Sequence, residues 1–232
     1  MQSPLTNDLN NVKDQFANDR RVQIHKIIPN EVATSLMHEV DQLDYEMAYT
    51  SSSQVSTITK AQLAQKTPQE QQMFLNGIFK DANKGIGFFY QRRGLSLSNT
   101  DQSVAQKVFQ WLNSEATLNA VREVSGFDDI IAASGQLTRY LPGHFLTRHK
   151  DVHETEQRRI AYVLNITEAW HPDWGGLLQF YQDDGTPRDA LTPSFNAMTL
   201  FDVKHVHAVT YVAPFASKPR LAISGWFRAS PL

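Results

Sequence analysis

In the run YLPGHFLTRHKD, His149 and Asp151 stand two positions apart and offer an imidazole and a carboxylate. Side chains two apart at a strand end leave the backbone on one face, so this pair converges without strain. His207, opening the apolar and β-branched run HAVTYV, supplies a second imidazole from elsewhere in the chain. Two imidazoles and a carboxylate on one side of a metal leave three adjacent positions open, a set suited to ferrous iron that must exchange ligands. Burying Asp151 unpaired among apolar strands would be expensive, so a metal or a salt bridge is required if it points inward. Arg220, thirteen positions after His207, adds a planar cation that can grip a carboxylate at two points. Taken singly, each residue has a plainer use: most histidines serve on the surface or in a satisfied core, and an Arg at a strand edge snorkels to solvent. His205 lies on the same face as His207 and competes with it, whereas His144 and His153 read as structural or surface residues.

The segments that must position these groups change character along the chain. Before about residue 128 the pattern is mostly helical. Val32, Leu36, Val40 and Leu43 recur at helical spacing after Pro29 and Asn30, which predicts a helix ending near Asp44. TPQEQQMFLNGIFKDANKG has a Thr cap, Pro at the first helical position and acidic residues in the first turn, and stops near Gly85. IGFFYQRR follows as a strand, and two further helices between Asn99 and Gly126 break near Asn113 and Ser114. The polar stretch TSSSQVSTITKAQLAQ has no clear period and reads as a loop. Beyond Asp129 the period becomes two, with strands expected near 131–140, 144–149, 158–166, 176–181, 197–202, 206–212 and 220–228. Such spacing suggests a sandwich or jelly roll. With no linker in view, a single domain is expected, a helical support region (about 1–128) bracing a β core (about 129–232).

Composition bounds the rest. With 232 residues, a net charge of −2 and Lys and Arg scattered, the chain shows no nucleic-acid footprint. The absence of cysteine excludes disulfides, zinc ribbons, iron–sulfur clusters and thiol catalysis. MQSPLTNDLNNVKDQF lacks the apolar and basic regions of a leader and no stretch reaches membrane-spanning length, so a cytoplasmic protein that binds neither membrane nor nucleic acid is expected.

RYLPGHFLTRHKD, RRIAYVLNI, GGLLQFY, LFDVKHVHAV and RLAISGWF follow one another from about Leu137 to Phe227. In this order they resemble the prolyl 4-hydroxylase-like branch of the Fe(II)- and 2-oxoglutarate-dependent dioxygenases. The resemblance implies a mainly β fold with helical additions (α+β), a double-stranded β-helix or jelly-roll barrel with the metal in its open end. It implies His149, Asp151 and His207 as the iron ligands, because His207, Val209 and Val212 match the family's spacing and His205 does not. It also implies that Arg220 holds the far carboxylate of 2-oxoglutarate, with Tyr140 and Trp226 beside that cosubstrate; as plain core aromatics the last two need no ligand. Fe(2+), 2-oxoglutarate and O2 are then required, with ascorbate as reductant. The implied reaction hydroxylates an unactivated C–H bond and releases succinate and CO2, and a prolyl residue in a protein or peptide is the leading substrate. A free amino acid or small metabolite on the same site is the alternative within the family. A cupin-like metal-binding barrel without oxygenase activity is the alternative outside it, and would give Arg220 no task. Two departures stand out: Asn196 occupies a turn that usually carries glycine, and VTYVAPFASKPR lengthens the link from His207 to Arg220. Asn tolerates a left-handed backbone, so the turn can survive. Lys218 is the other cation near that position. Residues 45–66 and 167–190 flank the expected barrel mouth, where Trp170, His171 and Trp174 either meet substrate or pin the loop.

Overall fold

The computed structural model describes residues 5, 8–52 and 54–232. Residues 1–4, 6 and 7, and Ser53 within the stretch read as a loop, lie outside them.

The strand run expected after Asp129 is present, with its alternation intact. β5 (Ala132–Tyr140), β6 (Phe145–His149), β7 (Arg158–Asn165), β8 (Leu178–Tyr181), β9 (Pro187–Leu191), β10 (Ala197–Asp202), β11 (Val206–Val209) and β12 (Arg220–Arg228) form the C-terminal part. Earlier come β1 (Arg21–His25), β2 (Glu46–Ser51), β3 (Gln54–Thr59) and β4 (Phe88–Gly94). The described strands pair antiparallel in the order β1-β10-β7-β12-β5-β4-β6-β11-β8-β9, with β2 joined to β3 and β4. The sheet curls between β4 and β6, so β6, β11 and β8 face β10, β7, β12 and β5 as in a double-stranded β-helix.

Period two divides β12 cleanly. Leu221, Ile223 and Phe227 join the core beneath the helices, while Arg220, Ser224 and Trp226 line a cavity inside the curl. β7 does the same with Ile160 and Leu164 on the helix side and Ala161 and Val163 on the cavity side. The covering helices are α1 (Leu9–Asp19), α2 (Asn30–Asp41), α5 (Val104–Leu112) and α6 (Glu115–Ser125), whose Phe16, Leu36, Phe109 and Val121 are fully buried. Between them in the chain run α3 (Lys60–Ala64) and α4 (Pro68–Ala82).

Helix signals read as expected. Thr67 and Glu70 exchange side-chain and main-chain hydrogen bonds around Pro68 at the start of α4, a box whose cap is worth about 1 kcal/mol. Ser114 caps α6, and Gly126 ends it at φ 75°. Asn196 does adopt φ 56°, and its amide also accepts from the Ile28 N–H at 3.1 Å and donates to the Ile28 carbonyl at 2.7 Å. Glycine could make that turn but could not tie it to the chain leading into α2.

The structure corrects three readings. The polar stretch after residue 50 is not a loop: β2 and β3 form a hairpin, capped by α3, and β2 extends the sheet through β4. Its side chains are largely exposed, so the apolar alternation that reveals a half-buried strand is missing. β9, with burial almost nil, escaped for the same reason. The strand expected over 206–212 ends at Val209, where a register shift against β6 lets the chain leave the ladder. No helix among the described residues is long and apolar enough to cross a membrane.

Candidate metal and anion site

His149 at the end of β6 and His207 in β11 are directly paired across the two strands. Their rings lie 4.2 Å apart. Each Nδ1 faces the main-chain carbonyl two residues back, Thr147 at 2.9 Å and His205 at 3.0 Å. A carbonyl can only accept, so each Nδ1 carries the proton and each Nε2 is left as a donor atom for a metal. Asp151 follows β6 by two residues and is anchored by its N–H on the Val203 carbonyl at 3.0 Å. Its Oδ1 lies 3.4 Å from His149 Nε2 and its Oδ2 3.4 Å from His207 Nε2. One ligand atom from each of the three falls within 4.8 Å of the others, the spacing of donors that can share one ion.

Electrostatics matches that use. Burial works to raise the Asp151 carboxyl, but the hydrogen bond from His149 and the charges of both imidazoles prevail and hold it at about 2. Burial, helped by the His149 charge, pushes His207 down to about 4. Burial opposes protonation of His149 as well, yet there the Asp151 partner wins and the net direction is up. The cluster thus keeps an ionised carboxylate beside a neutral His207 imidazole, both in the form a cation needs.

Arg220 opens β12 and is 2 % exposed. Burial drives its pKa down, and among the described residues no carboxylate answers it. Its Nη2 makes a long 3.4 Å contact to Asn165 Oδ1, its Nε has no partner among the described residues, and the guanidinium lies 5.3 Å from the centre of the Tyr140 ring. Tyr140 is itself buried and stacks on Tyr90 at 4.9 Å. Trp226 lies under the Arg158 guanidinium, 3.4 Å from ring to cation. Arg220, Tyr140, Tyr90 and Trp226, with the His-Asp-His cluster, line one cavity of about 520 Å³.

The competing residues lie elsewhere. His205 Nε2 contacts the Asp19 carbonyl at 2.9 Å. Lys218 donates to the Glu168 carbonyl at the surface. His144 and His153 each accept a main-chain N–H, from Leu141 and Glu156. Trp170 is buried, donates to the Gly175 carbonyl at 2.9 Å and meets Trp174 edge-on at 5.2 Å; the pair pins the loop. Tyr90, which stacks under Tyr140, and Thr50, Val55 and Ile86 at the cavity's edge were not singled out from the sequence. Only the alternation of FFY could have suggested Tyr90.

Residues 135–228, which carry the cluster and Arg220, match the family described as the 2OG-Fe(II) oxygenase superfamily. These residues are similar to a 2OG-Fe(II) oxygenase domain. The chain is 36% identical over 112 residues to prolyl 3-hydroxylase OGFOD1 of Mus musculus, a match covering 45% of this chain and 20% of that protein. The corresponding protein of Xenopus laevis is 36% identical over 86 residues, 34% of this chain and 17% of that one. The chain therefore spans about a fifth of the length of the curated relatives it matches. In fold, the chain resembles a Pseudomonas putida prolyl-4-hydroxylase, with TM-score 0.65 and 19% identity over 96% of this chain and 100% of the other. A Trichoplax adhaerens prolyl hydroxylase, solved in complex with a hypoxia inducible factor peptide fragment, gives TM-score 0.65 and 14% identity over 97% and 90%. At such identities these two likenesses speak for the double-stranded β-helix alone.

Proposed function

We propose that the protein is an Fe(II)- and 2-oxoglutarate-dependent dioxygenase that hydroxylates an unactivated C–H bond, with a prolyl residue in a protein or peptide as substrate. The buried Arg220, without a carboxylate partner yet sharing a cavity with the His149–Asp151–His207 cluster, is the observation that carries this reading. An uncompensated interior cation is strongly unfavourable, so the fold keeps it for an anion that arrives with the ligand. A metal-holding barrel without a cosubstrate has no such need. The relatives named as prolyl hydroxylases support the substrate class.

In this reading His149, Asp151 and His207 hold ferrous iron and Arg220 pairs with the far carboxylate of 2-oxoglutarate. Bound iron supplies dioxygen activation coupled to decarboxylation, giving succinate, CO2 and the hydroxylated product. The chain does the rest. Carbonyls of Thr147 and His205 set both imidazole tautomers, Tyr140 offers its hydroxyl to the anion, and Trp226 walls the same space. Leu146, Leu178, Phe201 and Val209 keep the interior apolar, while Thr50, Val55 and Ile86 frame the side from which a peptide enters. Ascorbate would serve as reductant.

Anaerobic addition of Fe(II) and then 2-oxoglutarate should give a visible charge-transfer absorption in the parent protein and none in His149→Ala. Aerobic incubation with proline-containing peptides, Fe(II), 2-oxoglutarate and ascorbate should then add 16 mass units to a peptide with matching succinate. Absorption without any modified peptide, but with succinate formed on free amino acids, would transfer the substrate to the small-molecule class. No succinate with any substrate would overturn the oxygenase reading.

A further inference from the structure

Trp226 carries a polar atom for which the fold supplies no partner. Its Nε1 is buried and makes no hydrogen bond among the described residues, a state that native interiors seldom keep without a use. The ring is not free to turn and find one. Arg158 lies against its face at 3.4 Å, Glu156 holds Arg158 at 2.7 Å, and the indole packs on the cluster of Ala161, Phe180, Phe201 and Val203. Asp151 is fixed at the same place, through its N–H on the Val203 carbonyl. Trp226 and Asp151 line the same cavity.

Asp151 has the complementary deficit. Its two oxygens now share the two imidazoles, one at 3.4 Å each. An ion held by both Nε2 atoms and one carboxylate oxygen would take those partners away and leave the second oxygen without a donor. Metal-bound carboxylates depend on outer hydrogen bonds for orientation and for metal affinity.

We infer that Trp226 is a positioning residue whose indole N–H donates to the non-ligating oxygen of Asp151, holding the carboxylate as a one-oxygen ligand. The inference rests on the ferrous-site reading above and assigns the indole nitrogen, not only the ring, to the site. Arg158, by fixing the ring, acts through Trp226.

The test replaces Trp226 by β-(3-benzothienyl)alanine, which exchanges the N–H for sulfur in a matched ring, and separately makes Trp226→Phe. Anaerobic Co(II) and Fe(II) titrations should show metal dissociation constants rising on the order of 10- to 100-fold in both. The visible Co(II) bands should shift as the carboxylate coordination changes. In the benzothienyl protein, whose matched ring still walls the cavity, the half-saturation for 2-oxoglutarate at saturating metal should be unaltered, and the metal-free form should melt no lower than the parent. Unchanged metal affinity with weakened 2-oxoglutarate binding would overturn the inference in favour of a purely cosubstrate-facing ring. Unchanged metal affinity with a lower metal-free melting temperature would reduce Trp226 to packing. Failure of the parent itself to bind metal would remove the ferrous reading first, and is seen before any variant is compared.

Discussion

Arg220 is a residue whose stability and function pull in opposite directions. A guanidinium buried with one long contact and no counter-charge burdens the ligand-free fold, and apolar replacement of such groups is often neutral or stabilising. Arg220→Leu should therefore leave the metal-free protein as stable or more so, by roughly 1 kcal/mol, in urea unfolding. The same change removes a charge-assisted pair worth roughly 1.5–3 kcal/mol, so the half-saturation for 2-oxoglutarate should rise on the order of ten- to a hundredfold. Metal affinity should hardly move. A variant that loses stability and keeps its 2-oxoglutarate affinity would make Arg220 a structural cation. The two histidines of β11 and its approach give a second contrast. His205 is bonded to the Asp19 carbonyl outside the cluster, so His205→Ala should retain the charge-transfer absorption that His207→Ala abolishes. The reverse pattern would exchange their roles.

At the scale of elements, β5 and β12 approach more closely than side chains allow. Gly225 faces Gly135 in register, and a Cβ on Gly225 would sit 1.9 Å from the Ser134 carbonyl oxygen. Since that obstacle is main chain, it cannot rotate away. Gly225→Ala should destabilise the protein by about 3 kcal/mol or prevent folding, read as the shift in denaturant midpoint. The turn before β6 supplies a pH effect. Burial pushes His144 down to about 4 from its ordinary 6.5, and its Nδ1 accepts the Leu141 N–H only when unprotonated. The unfolded chain takes up a proton that the folded one refuses, so this stabilisation is complete above pH 6.5 and is lost as pH falls from there toward 4. The full difference is about 3 kcal/mol. His144→Gln keeps an acceptor and cannot titrate, so the gap in urea midpoint between pH 7 and pH 4.5 should narrow relative to the parent. An identical gap would mean that His144 is not buried unprotonated.

For the molecule as a whole, the cavity joins two opposite charge deficits, an anionic cluster and an unpaired cation. Each is relieved only by its own ligand. A metal ion and 2-oxoglutarate together should raise the melting temperature more than the sum of their separate effects, since the cosubstrate also binds the metal. At a hundredfold excess over the dissociation constant a ligand contributes about 2.7 kcal/mol, which in a protein of this size is a shift of roughly 5–10 °C. Anaerobic thermal scans with Mn(II), with 2-oxoglutarate, with both, and after chelation measure this. Equal shifts with and without metal would detach the anion site from the metal site.

Much of this was legible in the residues themselves. His149 and Asp151 announce a shared face because strand geometry has a fixed period, and the same rule put Arg220, Ser224 and Trp226 on one side of β12. Caps at Thr67 and Ser114 are local chemistry, so their helices were readable too. The hairpin after residue 45 and β9 were not, because exposed strands bury little and leave no alternation to read. Choosing His207 over His205 by position alone was beyond strand periodicity, since both share a face; only the register of β11 on β6 brings one imidazole opposite His149 and sends the other to Asp19. Likewise, an Arg at a strand start looks the same whether it meets solvent or a cavity. Its burial without a partner is decided by the curl of the sheet, which brings β5 and β6 around one space with β11 and β12 from more than fifty residues further along the chain.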